Sequence, residues 1–205
     1  MQRRAFLLGA PMLGLAACSG EAIWAPDDAV QRSFVAGVGA PSLTLYTMKN
    51  VGSDNGAHTS VLVNASQRVM WDPAGTFRAS AIPERNDVLF GFTPRVEDFY
   101  VSFHARETYY VVGQKVWVSA GVAEHALRLV MSHGAVPKAN CARATSAILR
   151  QLRGFESLPR TWSPNTLEAA LAKFPNVETT VYRESDADDK TTVADEIDAA
   201  ITAGQ

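Results

Sequence analysis

A thiol becomes an effective nucleophile when it ionises below its ordinary pKa of about 8.5, and a helix N-terminus with a neighbouring imidazole achieves this. Cys141 stands where such surroundings are expected. Asn140-Cys141-Ala142 opens a helical pattern with Cys141, Thr145, Ile148, Leu149 and Leu152 on one side and Arg143, Ser146, Arg150 and Arg153 on the other. A thiolate also needs a base to hold its proton and return one to the leaving group, the task to which histidine is suited. His58, at the head of a β-rich run after a loop containing Gly52 and Gly56, is the candidate base. Asp72, on the following β-rich run, is the candidate for orienting that imidazole.

Two runs have to bring these groups together. His58 to Asn64 and Arg68 to Asp72 are rich in β-formers and are separated by Ala65-Ser66-Gln67, which predicts an antiparallel hairpin ended by Pro73 and Gly75. A register with Val63 across from Gln67 sets Asp72 opposite His58. Other registers put Pro73 or Gly75 there and leave Asp72 a neighbour. A strand is also predicted over Ser42 to Met48, one or two between Thr108 and Val118 with a bend or bulge at Gly113, and a short one over Val177 to Tyr182. Helices are expected behind the Thr93-Pro94 cap, carrying Val96, Phe99, Tyr100 and Phe103; behind Ser119, ending at Gly134; from Cys141, closed by Gly154; and behind Ser163-Pro164. Together these read as one α+β domain over residues 42–182, an antiparallel sheet packed against a central helix that carries the cysteine. Residues 183–205 open on four acids between Glu184 and Asp189 and read as a solvated acidic tail with a terminal helix over Thr192 to Ile201.

Other chemistries find less support. His125 and His133 share a helix with Glu124 but lie eight positions apart, whereas paired metal ligands on a helix stand one turn apart, so no metal is expected. The glycines at 37, 39, 52 and 56 form no phosphate-binding loop, and no cofactor is implied. His104 reads as a partner of its helix dipole, and the Arg143, Ser146, Arg150 and Arg153 side as a solvated face or a contact for an anionic glycan or lipid head group.

The whole chain has 205 residues, 47% of them apolar and 20% charged, which is ordinary for a globular domain with a full core. A formal charge of -2 gives no basic surplus for following a phosphate backbone, so nucleic-acid binding is not expected. The first residues follow another pattern: Arg3 and Arg4 precede a short apolar run that ends Leu15-Ala16-Ala17-Cys18. This resembles a twin-arginine export signal over residues 1–17 followed by a bacterial lipobox. The resemblance implies lipidation of Cys18, a tether over residues 18–41 with little regular structure, and a periplasmic domain held at a membrane. Ser19 after that cysteine leans the sorting towards the outer membrane. Lipidation would consume one of the two cysteines and leave Cys141 without an intrachain partner in an oxidising compartment.

The order His58 on a strand, an acid on the next strand and Asn140-Cys141-Ala142 opening a later helix resembles the circularly permuted branch of the papain-like fold. That branch includes permuted NlpC-type cell-wall peptidases, lecithin retinol acyltransferase-like proteins and PPPDE peptidases. The resemblance covers about His58 to Gly154 and implies His58 as base, Asp72 as orienting group and Cys141 as nucleophile. It departs after the cysteine, where the families commonly carry an aromatic residue or His and this chain has Ala142-Arg143-Ala144-Thr145. The expectation is a lipid-anchored cysteine hydrolase acting on an amide bond, with cell-wall peptide the substrate its location favours. A lipid acyltransferase or esterase of the same fold, and a non-catalytic lipoprotein binding peptide, glycan or protein, are the alternatives.

Overall fold

The computed structural model describes residues 22–203, so the expected export signal and Cys18 lie outside the described residues. Within them the chain forms an α+β fold of seven antiparallel strands and six helices. In chain order these are α1 (Asp27–Arg32), β1 (Ser42–Asn50), β2 (Gly56–Asn64), β3 (Arg68–Trp71), β4 (Glu84–Arg85), β5 (Val88–Leu89), α2 (Pro94–His104), β6 (Tyr109–Trp117), α3 (Ala120–Ser132), α4 (Cys141–Leu149), α5 (Pro164–Leu171), β7 (Glu178–Tyr182) and α6 (Lys190–Ala203). The sheet order is β4-β5-β3-β2-β1-β6-β7.

Both faces of the sheet are covered. Leu45, Val61, Val63, Val69 and Trp71 point to one side, against Ala126, Val130, Ile148, Leu149 and Leu167 of α3, α4 and α5. Tyr46, Met48, Leu62 and Met70 point to the other, against Val96, Tyr100 and Phe103 of α2 and Ile197 of α6. Residues of opposite parity along β1 and β2 therefore feed two cores, which is why polar Thr47, Thr59 and Ser60 are buried beside the aliphatic side chains.

Hydroxyl caps start the helices as expected. Thr93 accepts from the Val96 amide, Ser119 from Val122 and Ser163 from Thr166, with proline at the first turn of α2 and α5. Gly134, at φ 82°, follows the C-cap of α3. Four expectations are corrected. β6 runs without a bulge through Gly113, which pairs with Tyr46; a Cβ there would stand 3.1 Å from the Tyr46 ring, so this glycine makes room for packing. The segment up to residue 41 is no free tether from residue 22 onward, because it holds α1, bridges Trp24 to Arg85 and Ala36 to Gln67, and binds the Asn64 side chain through Val38 and Ala40. Beyond residue 182 the expected terminal helix is present as α6 and the acidic run before it is largely exposed, but the helix is packed: it buries Val193 and Ile197, and Asp198 accepts from the Ser80 and Ala81 amides. On the arginine side of α4, Arg143, Arg150 and Arg153 are exposed as expected, but Ser146 is buried and accepts from the Thr161 amide.

No helix among the described residues is long and apolar enough to cross a membrane.

Candidate functional site

The site forms where the head of β2 meets the N-terminus of α4. The β2–β3 ladder pairs Asn64 with Arg68, Val63 with Val69 and Val61 with Trp71, joined by the expected turn Ala65-Ser66-Gln67. The register with Val63 opposite Gln67 is thereby corrected by two residues. Continued one step, the observed ladder puts Ser60, not His58, across from Asp72. An even shift preserves the face, so His58 and Asp72 lie diagonally on one side of the sheet, within reach of each other's side chains. The His58 Nε2 to Asp72 Oδ1 distance is 2.6 Å. The head of β2 is also irregular: its pairing with β1 shifts between Met48–His58 and Lys49–Gly56. Such a shift bends a strand and re-aims its side chains, and it falls beside the imidazole.

Cys141 enters from the opposite layer as the first residue of α4. The preceding turn contains Ala139 in the left-handed region at φ 63°, and Asn140 occupies the N-cap with its side chain bonded back to the Lys138 carbonyl. The His58 imidazole and the backbone amides of Thr59 and Ala142 lie near enough to the Cys141 thiol to favour its charged form. His58 commits Nε2 to Asp72, and Nδ1 is its other ring nitrogen. Cys141, His58 and Asp72 are thus brought together in the expected order: thiol, imidazole, carboxylate.

The electrostatics follow from this contact. Burial pushes the Cys141 thiol up, but the His58 hydrogen bond and charge, with the two amides, hold it below its ordinary value. Burial likewise opposes a charge on His58, yet Asp72 and Cys141 push its pKa up to about 10. Asp72, buried, is held below the usual carboxylate range against its own desolvation, chiefly by His58, with His104 and Tyr100 assisting. The contact thus shifts the balance towards thiolate and imidazolium, backed by a carboxylate.

Residues that the sequence reading did not place complete the support. Tyr100 of α2 donates to Asp72 Oδ1 at 2.8 Å, and the Tyr100 and Ser60 hydroxyls stand 2.8 Å apart. Burial and the Asp72 charge push the Tyr100 pKa well above 10, so its proton remains available as a donor. His104, one turn on, bonds its Nδ1 to the Tyr100 carbonyl at 2.7 Å and stacks 6.4 Å from the His58 ring. His58 and His104 line one cleft of about 270 Å³ with Met48, Gly75, Thr76 and Tyr109. Tyr100 stands on the apolar stripe of α2 and His104 in its last turn, signals that in sequence point to core and to the helix dipole.

Gly75 is needed by close approach. A Cβ at this position would fall inside contact distance of the Asp72 carboxyl group. Gly75→Ala is therefore expected to swing that carboxylate off His58 and raise the apparent pKa of Cys141 alkylation. Gly121→Ala, which meets nothing within 4 Å, serves as the control and should leave that pKa unchanged.

Among the described residues no group of three or more His, Cys, Asp or Glu side chains is arranged to hold a metal ion, and His133 packs 5.2 Å from the Trp71 ring. No family model, curated protein or solved structure matches this chain, so the chemistry of the site is argued from its own geometry: a thiol at a helix start, an imidazole against it, and a buried carboxylate behind.

Proposed function

We propose that this chain is a cysteine hydrolase of the permuted papain-like kind, exported, anchored through lipid on Cys18 at the periplasmic side of the outer membrane, and acting on amide bonds in cell-wall peptide. The observation that carries the chemistry is the contact series Cys141, His58 and Asp72, with the thiol pKa lowered and the imidazole pKa raised. The thiolate attacks the carbonyl carbon; the C–N bond breaks as His58 gives its proton to the departing amine. Water then loses a proton to His58 and attacks the thioester, releasing the acid and restoring the thiolate. The backbone amides around Cys141 at the start of α4 are the natural donors for the oxyanion. The resemblance of the first residues to an export signal is what favours cell-wall peptide as the substrate.

The test is incubation of the full chain with cell-wall peptides and with short- and long-chain acyl esters, trapping any acyl-enzyme for mass spectrometry. Turnover of peptides with an adduct on Cys141, lost in Cys141→Ala, is the expected result. Turnover of long-chain esters alone would make the chain a lipid acyltransferase or esterase. The burial of Cys141, 7% exposed, is the observation that favours a non-catalytic binding lipoprotein. A thiol that resists alkylation until the chain unfolds would establish that reading instead.

A further inference from the structure

The hairpin β4–β5 turns through Asn86 and Asp87, both in the left-handed region at φ 46° and 68°. Two-residue hairpin turns of this hand favour Asn and Asp, so turn geometry alone accounts for the conformation. It does not account for the burial of the Asp87 side chain, which is 7% exposed. Three contacts radiate from this residue. Its carbonyl accepts from the Asp72 amide at 2.8 Å. Its carboxylate accepts from the Val136 amide at 2.7 Å. The Ala74 amide, in the turn that presses Gly75 against Asp72, lies near enough to the same carboxylate to favour its charge.

Val136 lies in the segment between α3 and α4 that delivers Asn140 and Cys141. Asp72 and Ala74 belong to the turn that delivers the carboxylate to His58. These segments are far apart in the chain and meet at Asp87. We infer that Asp87 is a positioning residue that fixes the nucleophile's loop to the turn of the orienting carboxylate, and so sets the contact between Cys141 and His58. The inference rests on the proposed activated thiol. A carboxylate suits the task because it accepts from two amides at once, whereas an amide side chain turns an N–H towards one of them. A displacement of about 1 Å at such a join is enough to loosen a thiol–imidazole contact.

Asp87→Asn is the informative variant, because Asn tolerates the left-handed conformation and leaves the turn intact. The measurement is the pH dependence of iodoacetamide modification of the full chain, read on Cys141 by mass spectrometry, together with thermal unfolding. The expected result is an apparent thiol pKa raised by about one unit or more at temperatures well below the melt, a tenfold change in the ionisation constant. A pKa equal to the wild type's, whatever the melting temperature does, would overturn the inference and leave the activated pair standing. An ordinary thiol pKa in the wild type itself would remove both. Hydrogen exchange of the Val136 amide in the wild type supplies a reading that needs no variant: slow exchange is expected of a buried, carboxylate-bound amide, and exchange at the rate of an open loop would overturn the join.

Discussion

His58→Ala is expected to return the Cys141 thiol towards the free value of about 8.5, because it removes both the hydrogen bond and the positive charge that offset desolvation of the thiolate. Without the imidazole, burial remains the largest influence on Cys141 and drives its pKa upward. At pH 6 the thiolate fraction would fall, but a low-pKa thiolate is intrinsically the weaker nucleophile, so the alkylation rate should fall by less than that fraction does. The position of the inflection is thus more telling than the rate at one pH. In the wild type it should lie clearly below 8.5, with reaction continuing on the acid side. In the variant it should move to 8.5 or above. Amide hydrolysis should suffer far more than alkylation, by about a thousandfold, since the proton for the leaving amine is lost as well. An inflection that does not move would mean the thiol owes its state to the helix start and the Thr59 and Ala142 amides alone, and the base would have to be sought elsewhere.

The elements around this pair were legible because each carries a local signal. The three-residue interruption between two β-rich runs identifies the β2–β3 hairpin, and the hydroxyl caps identify where α2, α3 and α5 begin. The hairpin register was not legible, for a physical reason: it is held partly by contacts from outside. Arg68 donates its amide to Val35, and Asn64 is anchored on Val38 and Ala40, all in a segment that by composition reads as a tether. The alternation of side chains rescued the site nonetheless, since a slip of two residues keeps Asp72 on the face of His58. β4 and β5 are two residues each, too short to show a period, so the Asn86–Asp87 turn and its contacts were beyond reach. The role of Tyr100 was hidden by its own neighbours. Amid Phe77, Phe92 and Tyr46 it reads as one more core aromatic, and only the fold shows its hydroxyl on Asp72.

Asp72 tests whether charge or geometry sustains the pair, through two substitutions. Asp72→Asn retains a carbonyl oxygen that accepts from His58 and Tyr100 but removes the charge that raises His58. The imidazolium then loses its main support against burial, the proton equilibrium shifts towards neutral thiol and neutral imidazole, and the Cys141 inflection should rise, with a smaller fall in melting temperature than in Asp72→Ala. Asp72→Ala removes the acceptor too and strands His58 and Tyr100 inside the fold, at a cost of about 3–5 kcal/mol. For a chain of this size that corresponds to a fall in melting temperature of roughly 10 °C. The pH dependence of this cost has a defined sign. Asp72 has a lowered folded pKa, so its contribution is present above the unfolded value near 3.8 and is lost as pH falls through the folded one. His58 has a raised folded pKa, so its contribution is complete below an unfolded value near 6.5 and is lost as pH rises through about 10. The stability difference between wild type and Asp72→Ala should therefore be widest between pH 4 and 6.5 and shrink towards pH 10. Urea melts at pH 5.5 and pH 10 measure it directly. A difference that is equal at the two pH values would mean that Asp72 holds His58 as a neutral hydrogen-bond partner, and the thiolate–imidazolium pair would lose its basis.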